Sequence, residues 1–134
     1  MASIIRRIHI DARPGDVWEA VRDVGALHER LVPGFVVDTQ LEPGARVVTF
    51  GDGTVVRELL VGQDDDHRRL AWSATGGVST HHNASAQVLD DGRGGTEFVW
   101  ITDVLPDEIA DPISLRMDRG LAVIKVTVEG SAPA

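Results

Sequence analysis

A chain of 134 residues with 13 Lys+Arg against 21 Asp+Glu, no cysteine and no tyrosine reads as one acidic domain of net charge −8. At this length roughly two-thirds of the unfolded surface can be buried, and 43% hydrophobic with 25% charged residues is the composition of a folded globule. The missing thiols exclude disulfides, thiolate nucleophiles and thiolate zinc sites, and the acidic balance argues against nucleic acid or an anionic membrane surface as partner.

No run approaches the ~18 consecutive apolar residues of a membrane span, so no membrane insertion is expected. Met1–Ile10 lacks the apolar core of a signal peptide, and the expected location is the cytoplasm.

Ile4, Ile8 and Ile10 alternate with Arg7, His9 and Asp11, which predicts a strand over Ser3–Asp11 with one buried face. Pro14 suits the first position of a short helix, where its missing N–H costs nothing. Val17, Trp18 and Val21 supply its apolar side and Gly25 ends it. A second short helix, Ala26–Leu31, is closed by Pro33-Gly34.

From Phe35 the hydrophobic period becomes two. Strands are predicted over Phe35–Gln40, Arg46–Phe50, Thr54–Gly62, Arg68–Thr75, His81–Asp90 and Thr96–Leu105, separated by Glu42-Pro43-Gly44, Gly51-Asp52-Gly53, Asp64-Asp65-Asp66, Gly76-Gly77 and Asp91–Gly95. Links this short imply an antiparallel meander. The Asp64–Asp66 run reads as a solvated turn. Pro106 stops the last strand, and a helical period returns over Asp107–Glu129, with Asp111-Pro112 as an internal cap and restart. Ile113, Met117, Gly120, Leu121, Ile124 and Val128 fall within about a 100° arc, one buried stripe. Gly130–Ala134 reads as a disordered tail beyond a single domain over residues 1–129.

The expected fold is therefore α+β: a seven-stranded curved antiparallel sheet around a long C-terminal helix, with two short helices after the first strand. Such a sheet grips the helix without closing, and the space between them is the expected site.

Alternation supplies its wall. Leu70, Trp72 and Ala74 share one face of their strand, and His82, Ala84, Ala86 and Val88 form the apolar face of the next. Thr54–Gly62 offers two credible faces, one of them with Val56, Glu58 and Leu60. The last strand also offers two, Phe98, Trp100, Thr102 and Val104 or Val99, Ile101, Asp103 and Leu105. Mid-helix Gly120 costs ~1 kcal/mol against Ala, so it either admits the sheet closely or leaves room for a ligand.

The order Pro14…Val17-Trp18…Val21-Arg22-Asp23, then Glu58-Leu59-Leu60, Asp64-Asp65, Arg68, Trp72-Ser73, Gly76-Gly77, Asn83 and Asp103-Val104-Leu105-Pro106 resembles the START/Bet v 1-like (SRPBCC) superfamily of polyketide cyclase/dehydrase and lipid-transport proteins. Its middle part is similar to the plant abscisic-acid receptors. The resemblance implies a helix-grip fold with an internal hydrophobic cavity, faced by Glu58, Trp72, Ala84, Ala86, Met117 and Leu121. It places Thr49–Gly53 at a gate and Val78–His81 at a latch, and its register turns Val99, Ile101 and Asp103 inward. The chain departs from the receptors at their ligand-anchoring lysine, which Leu31 replaces, and at the gate proline and latch His-Arg pair. A hormone-receptor function is not supported.

The expected ligand-facing set is thus Glu58, Trp72, Ala74, His82, Ala84, Ala86, Ile101, Asp103, Met117, Gly120 and Leu121. A small hydrophobic lipid, polyketide or isoprenoid, bound or carried with Glu58 and His82 at its polar end, is the leading functional reading. The alternative is a polyketide cyclase or dehydratase in which His82, Glu58 and Asp103 act as general acid and base, or else merely hydrogen-bond one another or a ligand. No cofactor is expected. Neighbouring His81 and His82 point to opposite faces of a strand and cannot share a metal. Lys125 reads as solvated. Leu115, Ala122 and Val126 make a weaker apolar stripe on the far side of the last helix, a homodimer contact or scattered surface residues.

Overall fold

Strand β1 (Ala2–Ile10) leads into helix α1 (Pro14–Arg22), and β2 (Val36–Glu42), β3 (Ala45–Phe50), β4 (Val55–Asp64), β5 (Arg69–Thr75), β6 (His81–Asp90) and β7 (Thr96–Leu105) follow before the long helix α2 (Ala110–Ser131). The computed structural model describes residues 2–76 and 78–131. All seven strands form one antiparallel sheet in the order β1-β7-β6-β5-β4-β3-β2. From β2 to β7 consecutive strands pair because their links are short; Gly44, Gly53, Gly76, Gly92 and Gly94 take the positive φ that such turns require. The expected helix-grip architecture is present.

Three local expectations change. The second short helix is a 3-10 turn (Val24–Ala26) followed by a single π-helical turn (Leu27–Leu31). Asp111-Pro112 does not restart a helix. After a 3-10 turn over Asp107–Ile109, α2 runs unbroken from Ala110, with Pro112 in the first turn, where the N–H lacks an intrahelical partner anyway. At its other end α2 continues through Gly130 and Ser131, and Ser131 Oγ donates to the Thr127 carbonyl at 2.8 Å. The rest of the expected tail, residues 132–134, lies outside the described residues, as does Gly77.

Helix α2 lies on the concave face with Met117, Gly120, Leu121, Ile124 and Val128 buried, the stripe its periodicity predicts. Gly120 marks the closest approach. A Cβ there would stand 3.0 Å from Trp100 Cζ3 and 3.4 Å from Phe35 Cε2, so the missing side chain seats the Trp100 ring against the helix. It leaves no room for a ligand. Leu121 packs into the main core. Both residues therefore position the site's walls without facing it.

Polar contacts fasten the remaining pieces. Trp18 Nε1 and Arg22 Nε donate to Asp65 Oδ1 at 2.9 and 3.0 Å, so the β4–β5 turn is an anchor for α1 rather than freely solvated. Lys125 Nζ donates to the His9 carbonyl and to Glu129 Oε2, each at 2.7 Å, tying α2 to β1. Leu115 and Val126 are 58% and 74% exposed on the outer side of α2. Among the described residues no helix is long and apolar enough to cross a membrane.

Candidate functional site

Between the concave face and α2 lies a chamber of about 250 Å³, walled by Phe50, Trp72, Ala74, His82, Trp100 and Met117 among others. A smaller lobe of about 70 Å³ continues toward the π-helical turn, past Leu31, Ala86 and Phe98. Phe35, Phe50, Glu58, Trp72 and Trp100 line both lobes. The rings pair off, Phe35 and Phe50 edge to face at 5.6 Å, Trp72 and Trp100 tilted at 6.4 Å.

Cross-strand register decides which side chains reach this space. On β6 and β7, His82 pairs with Val104, Ala84 with Thr102 and Ala86 with Trp100. Since paired residues share a face, Trp100 and Thr102 point inward with His82. Ile101 and Asp103, opposite Ser85 and Asn83, point outward, which corrects the expectation for both. Asp103 instead accepts a hydrogen bond from Ser3 Oγ on β1. Ala84 is on the inner face but buried beneath its neighbours, outside the chamber lining.

Glu58 faces inward and is only 7% exposed. Its partner is Arg46, directly opposite on β3: Nε donates to Glu58 Oε1 at 2.8 Å, and the two side chains are 4% and 10% exposed. Arg46 Nη1 also reaches the Val24 carbonyl at 3.3 Å, and the guanidinium stands 5.7 Å from the centre of the Trp72 ring. Glu58 and His82 do not meet. Glu58 pairs with Ala74, and His82 lies one strand further on, so their backbones are two strand spacings apart, about 10 Å. The methyl of Ala74 leaves the space between them unfilled. In the chamber wall, Arg116 lies 4.7 Å over the Phe50 ring and 3.6 Å from Asp52, joining α2 to the β3–β4 turn. Phe50 from the expected gate, Thr54 just after it, and Val78 and Ser79 from the expected latch complete this end of the wall.

With this geometry the sequence match acquires meaning. A family model described as polyketide cyclase/dehydrase and lipid transport covers residues 1–129. The chain belongs to that family. No curated protein matches it significantly. Among solved structures, an uncharacterized protein from Bacillus thuringiensis superposes with a TM-score of 0.85 at 18% identity, over 95% of this chain and 98% of the other. A START superfamily protein from Mycobacterium smegmatis gives 0.74 at 12%, covering 97% and 96%. Norcoclaurine synthase from Thalictrum flavum, complexed with dopamine and hydroxybenzaldehyde, gives 0.72 at 18%, covering 99% and 89%. At these identities the likeness is one of fold.

Within this polyketide cyclase/dehydrase and lipid-transport domain, Arg46 is a buried charged residue that alternation and resemblance both passed over. Its position was countable. A hairpin turning about Asp52 puts residue 46 opposite residue 58, and an opposite charge there signals a pair.

His82, by contrast, makes no side-chain hydrogen bond among the described residues. Burial lowers its pKa below the ordinary 6.5, and the charges of Arg116 and then His81 act in the same direction. The unfolded chain therefore binds this proton more readily. The stability tied to the neutral ring is present above about pH 6.5 and is lost as pH falls through the folded-state pKa. His82→Gln is expected to flatten part of the fall in Tm between about pH 7 and about pH 5 in scanning calorimetry. An unchanged profile would mean that the ring titrates as in water.

Proposed function

We propose that this domain binds a small hydrophobic molecule in the chamber between sheet and α2, drawn from the lipid, polyketide or isoprenoid classes. Trp72, Ala74, Ala86 and Met117 supply apolar contact, and the Arg46–Glu58 pair and His82 lie where a ligand's polar end would be read. The observation that carries this is an ion pair buried in the wall of an apolar chamber. Well-packed apolar residues in its place would be at least as stabilising, so the pair is better explained by recognition than by stability. The family description and the aromatic ligands of norcoclaurine synthase support the same reading.

A catalytic reading has one observation in its favour, the unbonded His82 ring facing the chamber, a geometry open to a general base. It lacks the expected partners, because Glu58 is engaged by Arg46 and Asp103 faces away. Binding is the stronger conclusion.

Native mass spectrometry of freshly purified protein should show a bound organic molecule lost on denaturation. Titration of the emptied protein with N-phenyl-1-naphthylamine should raise the probe's fluorescence saturably. Bare-chain mass together with no saturable probe response would overturn the proposal.

A further inference from the structure

The charged side chains around the chamber do not cancel. Arg46 and Glu58 neutralise each other at 2.8 Å, and Glu58 is the one carboxylate in the wall of the larger lobe among the described residues. Burial and the Arg116 charge keep the His82 ring neutral at neutral pH, so it can donate one N–H but carries no charge. Arg116 is left as a net positive charge in that wall, in a chain whose net charge is −8. The field inside the chamber therefore favours an anion.

Arg116 also stands at a mouth. A groove of about 440 Å³ runs between the β3–β4 turn and α2, and Phe35, Phe50, Pro112 and Arg116 line both the groove and the chamber. Arg119, one helical turn beyond Arg116, lines the groove too, so two guanidinium groups meet one carboxylate there, Asp52. Asp52 is already engaged, because its Oδ1 accepts the Thr54 backbone N–H at 2.9 Å. Its approach to Arg116, 3.6 Å between Oδ2 and Nη2, is longer than a hydrogen bond. Arg116 makes no hydrogen bond among the described residues. Stacked 4.7 Å over the Phe50 ring, it keeps a planar fork of N–H donors, the complement of a carboxylate.

Building on the ligand-binding reading above, we propose that the ligand is an amphipathic monocarboxylate. Its apolar body fills the chamber, and its carboxylate sits at the mouth against Arg116, with Arg119 as the second cation. The Arg46–Glu58 pair and His82 are left to uncharged polar groups along the body.

Isothermal titration at neutral pH with three probes of one chain length tests this: octanoate, octanamide and octylammonium. Octanoate should bind about tenfold tighter than octanamide, and octylammonium weakest of the three. Added salt should narrow the octanoate margin, because the mouth is open to solvent. Arg116→Gln should cut that margin to about threefold or less, and Arg119→Gln should cut it by about half. Asp52→Asn keeps the Oδ1 acceptor for Thr54 but removes the competing anion, and should widen the margin about threefold. Octanamide binding as tightly as octanoate, or octylammonium more tightly, overturns this inference and leaves hydrophobic binding itself standing. A margin that neither Arg116→Gln nor Asp52→Asn moves also overturns it, since the carboxylate would then be read elsewhere. Binding of none of the three defeats it as well, and uptake of N-phenyl-1-naphthylamine by the same protein then decides the ligand-binding reading separately. The wild-type ranking and Asp52→Asn decide the matter even if Arg116→Gln folds poorly.

Discussion

Arg46→Met should cost about 3–5 kcal/mol, because it leaves the Glu58 carboxylate buried and unpaired in an apolar wall. For a chain of 134 residues that corresponds to a fall in Tm of roughly 10–20 °C. Glu58→Leu should cost a similar amount by stranding the guanidinium, whose other supports are one carbonyl at 3.3 Å and the face of Trp72. The double variant Arg46→Met/Glu58→Leu removes both charges and should return to within about 1 kcal/mol of the parent. Urea denaturation of the four proteins forms a double-mutant cycle, and the coupling should be large. If each single change costs less than about 1 kcal/mol, the pair is solvated and behaves as a surface ion pair.

Filling the chamber is the second large effect. Ala74 projects into it from β5, opposite Glu58, and has a small side chain where neighbouring positions carry indole rings. In Ala74→Trp the indole would occupy the ligand's volume. Affinity for N-phenyl-1-naphthylamine should fall at least a hundredfold. The new apolar contacts should keep stability within about 1–3 kcal/mol of the parent, the usual range for an added core group. Tm and probe fluorescence measured on one preparation separate the two effects. Undiminished probe binding in a folded variant would place the ligand elsewhere.

The element order was legible because each strand alternates and each link carries glycine, proline or aspartate at its turn. The inward face of β6 was equally plain, since His82, Ala84, Ala86 and Val88 contrast with His81, Asn83, Ser85 and Gln87. On β7 the contrast vanishes. Val99 is 5% exposed on the outer face and Phe98 1% on the inner, so hydrophobicity alone could not choose between them. Register could. The β6–β7 hairpin turns about Arg93, which places Trp100 opposite Ala86 on a face already assigned, whereas the receptor-like register misled toward Ile101 and Asp103. The same arithmetic on the β3–β4 hairpin would have found Arg46. What no local pattern held was the fit of Trp100 against Gly120, because it joins a strand to a helix through packing alone.

The sheet order sets β1 beside β7, so the first strand of the sheet finds its partner in the last, Ile10 with Thr96 and Ala2 with Val104. During synthesis β1 must wait for nearly ninety residues, on the order of 5–20 s at ribosomal speed. Throughout that interval it is an amphipathic strand with two free edges, the kind of segment that seeds aggregation. Arg6 and Arg7 at its centre, later engaged with Asp118 and Glu97, keep it charged while it waits. The chamber is completed later still, since α2 emerges after all seven strands. The proposed ligand can therefore be enclosed only once α2 has been made and has docked.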